Sequence, residues 1–220
     1  MKIESYEPFH IGSKLMYYVD KGHLLAKLYE YYEANIEEGF ELNPNILKGV
    51  GSFTPVLNII TNPKEKITIQ MNLSSNALNV IGNDTKKTVE LFIKLMRSLP
   101  DLGFEIGSTF SFYEIITNVI LLLETEAESP NEIFGKFSSN IFDNIEVLPN
   151  LKVNYIRFSD EMISKETEER FNLEILPNRT SPKKRIIFKI LKRVKNYELL
   201  IQFQEKLEVI IKKIFEQLVK

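Results

Sequence analysis

Cysteine is absent from the 220-residue chain. That removes disulfides, thiolate metal sites and cysteine nucleophiles together, and it fits a reducing compartment. Histidine is scarce. His10 and His23 are the only two, and neither has a second histidine or a carboxylate at ligand spacing, so neither a metal site nor a histidine-based triad is expected. Long hydrophobic runs are missing too: the longest aliphatic stretch, Val119 to Leu123 with its neighbours, falls short of the roughly 20 residues that cross a bilayer. No N-terminal segment resembles a signal peptide. The expectation is a cytoplasmic protein without a membrane partner. Gly49 and Gly51 are not followed by the Lys-Ser/Thr of a phosphate loop, and the acid pairs Glu37-Glu38 and Glu168-Glu169 sit in charged segments with nothing apolar to raise a pKa. Neither enzymatic activity nor a cofactor is expected.

Apolar residues make up 44% and charged residues 26%, which suits a folded chain rather than a disordered one. The formal net charge is −2, so the whole molecule does not attract nucleic acid. Its charge is unevenly spread, however. Lys183, Lys184, Arg185, Lys189, Lys192, Arg193 and Lys195 fall in one stretch without an acid, whereas Asp160 to Glu169 is mostly acidic. Fields of opposite sign follow.

Apolar periodicity outlines the elements. Ile67, Ile69, Met71 and Leu73 alternate with Thr68, Gln70 and Asn72, which predicts a half-buried strand over Lys66 to Leu73. A Ser75-Asn76 turn leads to a second strand, Leu78 to Ile81. Gly82-Asn83-Asp84 stops that strand and offers a cap for a helix over Thr85 to Leu99. A related order closes the chain, with strands Phe171 to Leu176 and Arg185 to Val194 and a long helix Glu198 to Leu218. Further helices are expected over His23 to Asn35 and, after Ser129-Pro130, over Asn131 to Phe142. Glu41-Leu-Asn-Pro-Asn-Ile-Leu-Lys has a counterpart about half a chain later in Glu146-Val-Leu-Pro-Asn-Leu-Lys, which adds to the repeated element order. No Gly/Ser linker separates the halves. A single domain over residues 1–220 is expected, with halves of about 1–104 and 105–220.

Several stretches carry candidate contacts. In an extended segment Arg185, Lys189, Arg193 and Lys195 share a face with Ile187 and Leu191, and Ile186, Phe188, Ile190, Lys192 and Val194 occupy the other. Such a strand can present cations to phosphates, or it can be a solvated, lysine-rich strand that protects a sheet edge. Thr68, Gln70, Asn72 and Asn79 can meet a groove floor, or be the polar side of a half-exposed sheet. Tyr17, Tyr18, Tyr29, Tyr31 and Tyr32 can stack on bases, or fill the core with wet hydroxyls.

Phe40-Glu41-Leu42-Asn43-Pro44, then Ile69 to Gly82 with its Ser75-Asn76 turn, then Leu99 to Phe104 ending in Leu102-Gly103-Phe104, follow an order that resembles the repeat of the TATA-box-binding protein family. Glu114-Ile115-Ile116-Thr117-Asn118-Val119 is similar to the opening strand of that family's second repeat, and the resemblance implies that Asn118 faces bound DNA. The family's wedging phenylalanines fall on Leu73 and near Leu47 here, neither of them aromatic. The first half lacks the matching asparagine, the second lacks the Ser-Gly-Lys turn and the Thr-Gly ending, and Asp160 to Glu169 stands where the family has a short hairpin.

The resulting reading is an α+β fold, a curved antiparallel sheet of two pseudo-symmetric halves backed by two long helices. A non-catalytic binding role is expected for its uncovered concave face. Arg185, Lys189, Arg193, Lys195, Asn118, Gln70 and Asn72 are the residues that would touch nucleic acid in a transcription-related role. The alternative is a protein-interaction or regulatory module with a peptide or protein partner on the same face.

Overall fold

A computed structural model of the chain describes residues 1–46, 55–124, 129–135, 155–159, 169–181 and 184–219. In chain order the main elements are β1 (Lys2–Leu15), α1 (Lys21–Asn35), β2 (Glu41–Leu42), β3 (Val56–Asn62), β4 (Ile67–Asn72), β5 (Ala77–Gly82), α2 (Thr85–Ser98), β6 (Phe110–Leu122), β7 (Ile156–Ser159), β8 (Arg170–Pro177), β9 (Arg185–Val194) and α3 (Tyr197–Val219). The described strands form one sheet in the order β2-β3-β4-β5-β1-β6-β9-β8-β7. Every neighbouring pair is antiparallel.

That order is a duplication laid out in space. From the central β1/β6 pair outward, one side runs β1, β5, β4, β3 and the other β6, β9, β8, β7. Each side is built the same way: a long first strand, then three strands that return towards it, then a long helix. Because β1 and β6 occupy equivalent places and pair antiparallel, the halves are related by a pseudo-twofold axis between them. β2 extends the first side. Glu41 and Leu42 of the sequence repeat form β2, while its counterpart at Glu146 lies outside the described residues. The expected helix over Asn131 to Phe142 is described as helical only over 130–135.

Both long helices cover the same face. Phe9 pairs with Gly82 and with Thr117, so these three point to one side. There α2 comes so close that a Cβ on Gly82 would strike the Thr88 hydroxyl and stand 3.0 Å from Ile67 Cγ1. Glycine is required at this crossing. On the same side, Phe171 of β8 meets Phe203 of α3 with ring centroids 6.1 Å apart. The alternation of β9 sends Ile186, Phe188, Ile190 and Val194 into the layer between sheet and helices, each at most 3% exposed. Leu200, Leu207, Ile211, Phe215 and Leu218 of α3 close it from above. Burying a side chain of this size contributes roughly 1.5–3 kcal/mol.

Local chemistry fixes where α2 and α1 begin. Asp84 accepts from the Lys87 N–H at 3.0 Å, and Asp20 accepts from the N–H groups of Gly22 and His23 at 2.9 and 3.1 Å. These are N-caps that satisfy otherwise orphaned donors. Of the tyrosines near α1, Tyr32 is buried, whereas Tyr17 and Tyr18 are 89% and 59% exposed. No helix among the described residues is long and apolar enough to cross a membrane.

Candidate binding face

Strand pairing places side chains on the uncovered face in transverse rows, because residues directly opposite in a ladder point the same way. One row runs Asn58, Gln70, Asn79, Gly12, Glu114, Arg193, Arg170 across β3, β4, β5, β1, β6, β9 and β8. In the first half the face is therefore an amide and hydroxyl surface, made of Asn58, Gln70, Asn72 and Asn79 with Thr61 and Thr68. Gln70 and Asn72, expected at a groove floor, are half-buried there. Asn118, expected beside them, stands in the other half opposite Lys189.

The second half alternates between charge and hydrocarbon. Along β6 and β9 the facing pairs are Leu122/Arg185, Ile120/Ile187, Asn118/Lys189, Ile116/Leu191 and Glu114/Arg193. Ile116 is 36% exposed. Arg185, Lys189 and Arg193 thus share the uncovered face as the strand alternation predicts, and each of the three meets a carboxylate. Arg185 makes a two-pronged contact with Glu4 of β1, Nε to Oε2 and Nη2 to Oε1 both at 2.5 Å. That hydrogen bond holds the Glu4 carboxyl below the usual carboxylate range. Lys189 Nζ lies 3.9 Å from Glu174 Oε2. Arg193 Nη2 donates to Glu114 Oε2 at 2.8 Å, while its guanidinium stacks 3.8 Å from the centre of the Phe112 ring. Lys195 is exposed just beyond the end of β9, and Lys183 and the acidic segment 160–168 lie outside the described residues.

Cations gather towards the outer strands of this half. Arg170 stands opposite Arg193, and its Nε and Nη2 lie 2.8 and 2.9 Å from the Asn172 amide oxygen once that amide is oriented to accept them. Arg157 stands opposite Glu174. Burial, then a hydrogen bond to Glu174, pushes the Tyr155 phenol up. The carboxylates Glu4, Glu114 and Glu174, and the hydrocarbon of Ile116, Ile120 and Phe112, were not singled out from the sequence. The available signal was the period-two spacing of Glu114, Ile116, Asn118 and Ile120, which puts them on one face of any strand through this segment.

His10 belongs to the same face between Ile81 and Ile116, and its Nε2 is enclosed without a hydrogen-bond partner. No group of three or more potential metal-ligating side chains occurs among the described residues. The second half of this face thus alternates aliphatic side chains with ion pairs.

No protein-family model matches the chain, and no curated protein does. Among solved structures, Methanococcus jannaschii TBP is similar over 97% of this chain and 97% of its own, at 15% sequence identity and a TM-score of 0.37.

Proposed function

We propose that this chain is a non-catalytic binding protein, a single domain over residues 1–220, which holds a polypeptide partner on the uncovered face between β6 and β9. The observation that carries this reading is the internal neutralisation of Arg185, Lys189 and Arg193 by Glu4, Glu174 and Glu114. A phosphate backbone is bound by releasing counterions from cations that are free to take their place. Here Arg185 and Arg193 would first have to give up a hydrogen-bonded carboxylate that remains behind to repel the phosphate, and Lys189 would bring the phosphate close to Glu174, 3.9 Å from its Nζ. Aliphatic side chains between ion pairs suit an amphipathic segment of another protein, whose apolar groups cover Ile116, Ile120, Ile187 and Leu191 while its polar groups meet the charged rim.

Nucleic-acid binding is the second reading. It is favoured by the adjacency of Arg170 and Arg193 and by Asn118 beside Lys189. Photo-crosslinking from position 120, on the same face opposite Ile187, of the full chain in its native cells separates the two. A protein adduct that disappears in the Ile116→Glu, Leu191→Glu double variant is the expected result. Nucleic-acid adducts from the same position would overturn the polypeptide reading.

A further inference from the structure

A cleft of about 450 Å³ opens at the start of α3, on the helix-covered side of the sheet, walled by Met16, Ile106, Phe110, Tyr113 and Tyr197. Three aromatic rings stand in its lining beside the polar Lys195, Asn196 and Glu198: Tyr113 and Tyr197 meet edge to face with centroids 5.7 Å apart at 62°, and Phe110 and Tyr113 are tilted by 52° at 5.8 Å. Tyr113 is 2% exposed, and among the described residues its hydroxyl has no hydrogen-bond partner. The hydroxyl is not one of the fully enclosed orphan atoms, which are His10 Nε2 and Thr117 Oγ1. Tyr113 is itself one of the residues that line the cleft. A buried phenol ordinarily finds a partner, and burial here also pushes the Tyr113 phenol up, so it stays protonated and able both to donate and to accept.

We propose that this cleft binds a small planar aromatic molecule carrying one N–H or O–H group, which completes the hydrogen bonding of Tyr113 while its ring packs against Phe110 and Tyr197. The cleft is of ligand-pocket size. A flat ring continues the edge-to-face packing of the walls, and the Met16 thioether adds a favourable contact to any ring placed beside it.

The test uses indole as the probe. The chain has no tryptophan, so indole emission excited beyond the tyrosine absorption band reports the probe alone. Saturable binding to the intact protein is expected. Tyr113→Phe removes a single oxygen and should weaken binding about 3- to 10-fold. Gly107 also lines the cleft, and a Cβ added there meets nothing within 4 Å; Gly107→Leu should therefore abolish binding with Tm unchanged. Failure of indole to saturate the wild-type protein, or equal binding by the wild type and both variants, overturns the proposal. The Ile116→Glu, Leu191→Glu variant should bind indole as the wild type does, which keeps this outcome separate from that of the partner experiment.

Discussion

Asn79 lies across Gly12. A Cβ added to Gly12 would run into the Asn79 Oδ1 atom and stand 3.2 Å from its Cγ, and Asn79 is only 3% exposed. At the middle of the uncovered face, then, one strand supplies the missing side chain and its neighbour supplies the amide that fills the gap. Gly12→Ala should destabilise the protein by about 1–3 kcal/mol through overpacking. The penalty should shrink in an Asn79→Ala background, where the obstacle is gone. A double-mutant cycle by urea denaturation checks this, and an undiminished penalty would place the strain elsewhere.

Strands β4, β5, β8 and β9 and the long helices were legible in the sequence because their periods are clean. In β9, Ile186, Phe188 and Ile190 are buried and Lys189 is exposed, following strict alternation. The central strand β1 was not legible. Its pairing with β6 shifts register between Ile3 and Ser5 and again between Tyr6 and Phe9, and each irregularity breaks the period-two pattern that marks a strand. In β3 a shift between Asn58 and Ile60 leaves Ile59 and Ile60 both buried, with the same effect. The cationic stripe was legible, but its neutralisation was not. Glu4 is 181 residues from Arg185 and Glu114 is 79 from Arg193, and only the strand order brings them together.

Asp84 tests how much one cap contributes. It accepts from Lys87 N–H at the start of α2, where Gly82 and Thr88 hold helix and sheet close together. Asp84→Ala should cost about 1 kcal/mol in urea denaturation, and Asp84→Asn, which keeps an acceptor oxygen, should cost much less.

The tyrosines predict an alkaline limit to stability. Burial, with a smaller contribution from Glu208, pushes Tyr6 up to about 12 from 10.0, and burial pushes Tyr32 and Tyr113 higher still. A folded-state pKa above the unfolded one means that the folded protein holds its proton more tightly. The stabilisation is therefore complete below about pH 10 and is lost as pH rises through about 12. Phenolate absorbance should rise in two stages, exposed tyrosines first and buried ones late or only with unfolding. Tyr6→Phe should flatten the fall of stability over that window while leaving it nearly unchanged at neutral pH. A single-stage titration of all nine tyrosines in the folded protein would contradict this.

The charge pattern predicts how the protein responds to nucleic acid and salt. Three phosphate contacts to duplex DNA would give a slope of log affinity against log salt of about −2.7, at roughly 0.9 per contact. Arg185, Lys189 and Arg193 are matched by Glu4, Glu174 and Glu114, so binding to unrelated duplexes should be weak even at low salt, with a slope shallower than three contacts would give. Replacing the three cations with Gln leaves the three carboxylates uncompensated and turns this part of the face acidic. The triple variant should then bind duplexes no better than the wild type, and Glu4→Gln, Glu114→Gln, Glu174→Gln together should do the opposite, strengthening binding and steepening the slope as the cations are released. The carboxylate variant is the informative arm, because it separates cations that are occupied from cations that are unsuited to phosphate. Titration of both variants and the wild type against two unrelated duplexes across a salt series decides the matter. A wild-type slope near −2.7 that falls by about that amount in the cation variant would establish phosphate contacts through these side chains and put the nucleic-acid reading ahead.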